Sequence, residues 1–264
     1  MSFDDHPSRS ANVFFNMKES IFILLSCLVC LVVDRYQISQ WDLQFINPNI
    51  GIRSVDYHPD PIDTSYAFSK SYVANVKSRI RLDRITEDSL SRLFTTLLTE
   101  RIIPHWLGTP WSFEGHTSVP GSGEIACGYF VSTTLKDMGF NLDRYKFAQQ
   151  LPIHEAKTLA LGKPLLEIYS NSSDERIAIL RDTLKEGIYF LGFDQNHVGY
   201  IQKKNSDLFV IHSNYIGAEG VVIEKIEDSQ VFSYFDRIYI ADISHNRALL
   251  TKWVGNEVVQ VVTE

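Results

Sequence analysis

Cysteine is scarce in this chain. There are three in 264 residues, at positions 27, 30 and 127. Cys27 and Cys30 sit together in an apolar run, so once that run is removed as a leader one thiol remains, or two if Cys27 is kept as a lipidated residue, and a disulfide-stapled scaffold is not expected. A basic surplus is also missing: 25 Lys and Arg stand against 32 Asp and Glu, a net charge of −7. With nothing spare to neutralise phosphates, nucleic acid is excluded as the main partner. Long hydrophobic runs are lacking too. The run "IFILLSCLVCLVV", Ile21–Val33, has thirteen residues, whereas a membrane-spanning helix takes about 20. No internal repeat, low-complexity tract, zinc-ligand spacing or phosphate loop is present; "GSGEIACG" has neither the lysine nor the strand context of the last. No cofactor is expected.

What is present is an apolar content of 44% with 22% charged residues, enough for one globular core of useful size. The Ile21–Val33 run has the length of a signal-peptide core, with Lys18 before it and Asp34-Arg35 after it. Asp4 and Asp5 make a poor signal start, and Met17 opens a better one. "LLSC" resembles a loose lipoprotein cleavage box ending at Cys27, which would attach the protein to a membrane. The expected organisation is a leader or anchor over 1–33, an extended arm over 34–64 and one globular domain over 65–264, placed outside the cytoplasm.

Within the domain, "SYVANVKSRIRLDRI" reads equally as strand or helix. Thr86–Ile102 reads as a helix: Thr86 is an N-cap, Glu87 and Asp88 suit the first turn, and Leu90, Leu93, Phe94, Leu97 and Leu98 form one stripe, with Pro104 as the expected stop. Gly108–Ala126 is a Gly/Pro loop. Cys127, Phe130, Val131, Leu135 and Met138 then recur at helical spacing, and Gly139 stops the helix. "DRYKFAQQL", "PIHEAKTLAL" and "SSDERIAILRDTLKEG" read as three further helices, the last ending at Gly187. Beyond it the period changes to two: "GIYFLGF", "HVGYIQKK", "DLFVIHSN", "GVVIEKI" and "RIYIADI" are strands separated by turns, and "KWVGNEVVQVVTE" is expected as a tail strand. Helices followed by an antiparallel meander make an α+β domain.

A thiol at a helix N-terminus has unpaired N–H groups beside it. They favour the thiolate and can hold an oxyanion. An imidazole that takes the proton completes a nucleophile. Of eight histidines, His197 and His212 are the two embedded in apolar strands, at the start of one and the end of the next. Pairing as a hairpin brings them side by side, His197 as base and His212 as the group that fixes its tautomer. Asn214 and Asp194 compete with His212 for that third role. Trp111 is the expected groove aromatic. His116 and Glu124 read as loop residues.

The ordered stretches "GTPWSFEG", "GEIACGYFVSTTLKDMGF", "GIYFLGF", "HVGYI" and "DLFVIHSN" resemble the NlpC family of papain-like cell-wall peptidases, across about Trp106–Ile226. The resemblance implies a papain-like fold, with a catalytic-cysteine helix on an antiparallel sheet. It also implies Cys127 as nucleophile, His197 as base and His212 as third member, acting on a peptide or peptidoglycan-stem substrate. Trp111, Gly128 and Asn214 are the expected substrate-binding positions. The chain departs from the family at Ala126 and Gly128, where an aspartate and a serine help hold the amine end of the stem peptide, and at Trp111, where the family has tyrosine. These departures leave the thiol chemistry and weaken the murein expectation. They favour as alternatives an acyltransferase or an amidase for another substrate; a silent cell-wall-binding domain is the third. The segment Asn141–Glu186 is longer than the family pattern and is expected to form an extra wall or lid.

Overall fold

The computed structural model describes residues 65–194 and 196–263, all within the compact unit Pro59–Glu264. The expected leader and arm, with Cys27 and Cys30, lie outside the described residues. No helix among those described is long and apolar enough to cross a membrane.

The first half is helical. Helix α1 (Tyr66–Arg79) starts at Ser65, whose side chain accepts from Phe68 N–H; the segment that read as strand or helix is therefore helix. Helix α2 (Glu87–Thr96) is capped by Thr86, as its sequence leads one to expect. It runs on into a π-helical turn, Leu97–Ile102, and then into the short α3 (Ile103–Trp106). Pro104 does not stop this path, contrary to the sequence expectation. It sits in the first turn of α3, where the N–H it lacks needs no helical partner, and His105 Nε2 meets Ser69 Oγ at 2.8 Å. After the 108–126 loop come α4 (Cys127–Asp137), the two-residue strand β1 (Asn141–Leu142), α5 (Arg144–Ala148) and α6 (Pro152–Ala160).

Strand β2 (Leu166–Tyr169) and α7 (Ser173–Thr183) follow. Helix α7 leaves the helical path at Leu184 rather than at Gly187. The Tyr189 hydroxyl accepts from Lys185 N–H and donates to Lys185 C=O, which pins the bend. Gly187 instead opens β3 (Gly187–Phe193). Strands β4 (His197–Lys204), β5 (Asp207–Asn214) and β6 (Gly220–Lys225), helix α8 (Gln230–Tyr234), strand β7 (Arg237–Asp242), helix α9 (Arg247–Gly255) and strand β8 (Val258–Val259) complete the chain. The expected tail strand is not one: its first residues, 252–255, finish helix α9, whose Leu249, Leu250 and Trp253 recur at helical spacing and are buried. Only Val258–Val259 pairs, parallel to β1.

The main sheet has six strands in the order β2-β7-β3-β4-β5-β6, every pair antiparallel. Only β3 to β6 form a meander. Strand β7 returns to the far side of β3, and β2, which has no counterpart in the sequence reading, adds the edge. Alternation along the strands sends side chains to two apolar layers. Ile188, Phe190, Val198, Tyr200 and Ile211 pack with Phe130, Val131 and Leu135 of α4 and with α2. Tyr189, Leu191, Phe193, Ile201 and Val210 face α7 and α8 on the other side. The protein is therefore an α+β domain with an antiparallel sheet packed against helices.

Phe94 anchors the first layer. It is fully buried, edge-on to Trp253 at 5.2 Å and to Phe140 at 5.9 Å. Phe94→Ala is expected to destabilise the domain by about 3–5 kcal/mol, read as a lowered urea midpoint with the m-value retained.

Candidate active site

Cys127 is the first residue of α4 and carries a free thiol. Its place is held from both sides. Before it, the loop is stitched to β6 by Gly108 N–H to Val221 C=O and Val221 N–H to Thr109 C=O. Ile125 N–H donates to Pro110 C=O, and the buried Ser213 hydroxyl donates to Ile125 C=O. After it, the Tyr200 hydroxyl on β4 meets Thr134 at 2.7 Å and donates to Val131 C=O, locking α4 onto the sheet. Arg144 ties α4 to the loop by donating to Thr133 Oγ1 and to the carbonyls of His116 and Thr117.

The helix begins at Ala126, which offers no side-chain cap. The first N–H groups of α4 are thereby left for other acceptors. The backbone N–H groups of Val198, Gly128 and Cys127 act to lower the pKa of the sulfur, but burial dominates, with the nearby Glu155 carboxyl adding to it, and the thiol is pushed up to about 11.

His197 opens β4, and its Nε2 lies 2.7 Å from Nδ1 of His212 on β5. Both rings are almost wholly buried. His212 Nε2 lies 3.0 Å from Glu224 Oε1 on β6. The three side chains share one face of three neighbouring strands. Val210 pairs with Glu224, and His212 with Val222, so His212 and Glu224 are diagonal neighbours. Gly199 makes the approach possible, since a Cβ there would stand 2.8 Å from His212 Cβ and 2.7 Å from Ile211 C=O.

By alternation the imidazoles lie on the face away from α4. The β4–β5 ladder closes only from Tyr200↔Ile211 onward, so Val198 lies outside it, and the Val198 N–H is near enough to the sulfur to lower its pKa. Among the described residues the site's side-chain hydrogen bonds run from His197 to His212 and Glu224, and none joins His197 directly to the thiol.

Burial, with the neighbouring His212 adding to it, holds His197 well below the ordinary imidazole value. Burial pushes the Glu224 carboxyl up, but hydrogen bonds from His212 and Ser229 outweigh it and leave it below the ordinary range. Glu224 is therefore an acceptor, and His212 Nε2 carries the hydrogen between them. In the neutral pair His212 Nδ1 is then an acceptor, His197 Nε2 donates to it, and His197 Nδ1 is the unprotonated nitrogen.

Of the contenders for third member, His212 meets His197. The Asn214 side chain instead accepts from Ile216 N–H and donates to Glu219, shaping the turn that carries Tyr215. The Tyr215 ring stands 5.3 Å from His197 and 6.0 Å from Trp111. Asp194 caps no imidazole; its N–H donates to Arg237 C=O. Gly128 is buried, and what it presents to the thiol is its N–H. A cavity of about 880 Å³ lined by Lys70, His116, Glu124, Asp137 and Arg144 lies elsewhere, with none of Cys127, His197 or His212 in its wall. No group of three or more His, Cys, Asp or Glu side chains among the described residues is arranged to hold a metal ion.

Three members of the site escaped the sequence reading. Glu224 lies on a strand whose partner register no single sequence displays, and Tyr215 lies in a turn. Glu155 left a signal: on α6 it occupies the inner spacing with Pro152, Ala156 and Leu159, where a carboxylate is out of place. It comes from the Asn141–Glu186 segment, of which α5 packs on α4, α6 on β3 and β7, and α7 on the opposite face of the sheet.

Comparison with protein-family models, with curated proteins and with solved structures returns no match.

The buried neutral His197 makes stability depend on acid. Its folded pKa lies below its unfolded value of 6.5, so the unfolded chain binds the proton first and stability falls as pH drops below 6.5. Glu224 adds a second loss only below its ordinary 4.5. The melting temperature of the wild type is expected to fall more steeply between pH 7 and 5 than that of His197→Gln, and the two profiles should become parallel above pH 7.

Proposed function

We propose that the protein is a divergent papain-like cysteine hydrolase of the NlpC type that cleaves an amide bond outside the cytoplasm. The observation that carries this reading is the Glu224–His212–His197 series, which leaves His197 Nδ1 as a base at the strand end whose next residue, Val198, has its N–H near enough to the Cys127 sulfur to lower its pKa. Nothing in this series needs a cofactor.

The resting pair is neutral, because burial opposes each charge taken singly. The proton therefore moves as the bond forms: Cys127 gives it to His197 Nδ1 while the sulfur attacks the carbonyl carbon. The resulting imidazolium is stabilised through His212 by the Glu224 carboxylate. The oxyanion is held by the Cys127 N–H at the uncapped start of α4, with a donor from the 108–115 loop. His197 then returns the proton to the amine as the C–N bond breaks. Water loses a proton to the same nitrogen and attacks the thioester, releasing the acid and restoring the thiol. Tyr215 stands beside the imidazole with Trp111 beyond it, and the two are the groove aromatics of this reading.

A peptide bond of the peptidoglycan stem is the substrate that the family resemblance suggests. One observation favours a different amide or an acyl-transfer reaction. A side chain at Gly128 would meet Ala148 C=O at 2.8 Å and Glu155 Oε1 at 3.2 Å, so the family's serine does not fit, and Ala126 carries no carboxylate. Assays of the purified protein on murein stem peptides, and on simple acyl donors with an added amine, separate the two.

Cys127→Ala is expected to abolish turnover with an unchanged melting temperature. His197→Ala should lower kcat by about 10²–10⁴-fold, and Glu224→Gln should lower kcat more than it changes KM. Full activity in Cys127→Ala would end both enzyme readings. A wild-type Cys127 alkylated by iodoacetamide no faster than its His197→Ala counterpart would favour a silent binding domain.

A further inference from the structure

Glu155 is the one group at the site that the reaction above does not use. It is almost wholly buried, with 1% of its surface exposed. Its Oε2 has no hydrogen-bond partner, and Oε1 stands against the Gly128 Cα, directly behind the amino end of α4. An unpartnered buried carboxyl is costly, and an apolar residue of the same size would fill this place on α6 without that cost. The titratable groups that feel its charge are Cys127 from α4 and Tyr200 from β4, both of which it raises. From α5 the Ala148 carbonyl, which carries no charge, closes on the same Gly128 position. Substrate has no route to a group this enclosed, so its effect passes through the thiol.

We propose that Glu155 is a positioning residue that gates the nucleophile: its carboxyl keeps a proton while Cys127 attacks, and loss of that proton at higher pH places a second negative charge behind the sulfur and suppresses the thiolate. This rests on the reading of Cys127 as a nucleophile. The sign follows from charge. A neutral carboxyl leaves the α4 N–H groups as the field at the sulfur, favourable to S⁻; an ionised one opposes them at short range in a medium of low dielectric. Burial alone pushes the Glu155 pKa well above the ordinary carboxylate value, so the gate closes on the alkaline side. The family's serine beside the cysteine has no room here because the Ala148 carbonyl and this carboxyl together close its space.

The test is the rate of iodoacetamide alkylation between pH 6 and 12 in the whole chain, with the adduct at Cys127 quantified by peptide mass spectrometry so that Cys27 and Cys30 do not contribute. Glu155→Gln keeps the volume and removes the charge. Its alkylation midpoint should move to lower pH by about one unit or more. Glu155→Met, which needs no hydrogen bond, should move it the same way and carries the test where the glutamine variant does not fold. Midpoints unchanged from wild type in the folded variants would overturn the proposal. His197→Ala in the same series keeps the two readings apart: if it slows alkylation while the Glu155 variants leave the midpoint in place, the nucleophile stands and the gate falls.

Discussion

The 2.7 Å hydrogen bond between His197 and His212 is the constraint from which the rest of the site follows. Because Glu224 is an acceptor at the far end, the direction of every hydrogen in the series is set, and the bare lone pair ends on His197 Nδ1. A hairpin alone would bring two rings together. The carboxylate on the third strand is what gives the pair a polarity. The six-stranded sheet supplies that order, since β4, β5 and β6 are adjacent and in register.

Burial works against charge everywhere in this site. It raises the thiol and Glu155 and lowers His197. Against it stand the N–H groups of Val198, Gly128 and Cys127 at the sulfur. At the thiol, Glu155 and His197 burial wins and these groups rest neutral, while Glu224, held below the ordinary range by its hydrogen bonds, keeps its charge. In the proposed mechanism charge appears only when thiol and imidazole exchange a proton, so that each new charge has a partner, and the start of α4, which no side chain caps, keeps its donors free for the oxyanion.

Much of this was legible in the sequence for a physical reason: periodicity is a local property. The stripe from Cys127 to Met138 with Gly139 behind it, and the two-residue alternation from Gly187 to Asn214, report elements that the structure contains. The proximity of His197 and His212 followed from hairpin arithmetic alone. What failed depends on longer range. Pro104 was read as a stop although the chain holds a helical path through a π turn beneath it. The tail was read as strand because valines mask the Leu249–Trp253 stripe. Strand β2 joins an edge whose partner, β7, lies some seventy residues later. Glu155 and Glu224 are brought to the site by tertiary packing, and only Glu155 betrayed itself, as a carboxylate on an apolar face.

The central claim is a tautomer, and long-range ¹H–¹⁵N correlation spectra of the imidazoles at pH 7 read it directly. The account predicts two neutral rings, with the hydrogen on Nε2 of His212 and on Nε2 of His197, and His197 Nδ1 bare. A spectrum that places the hydrogen on His197 Nδ1 would leave the series ending in a donor instead of a base, and would contradict it.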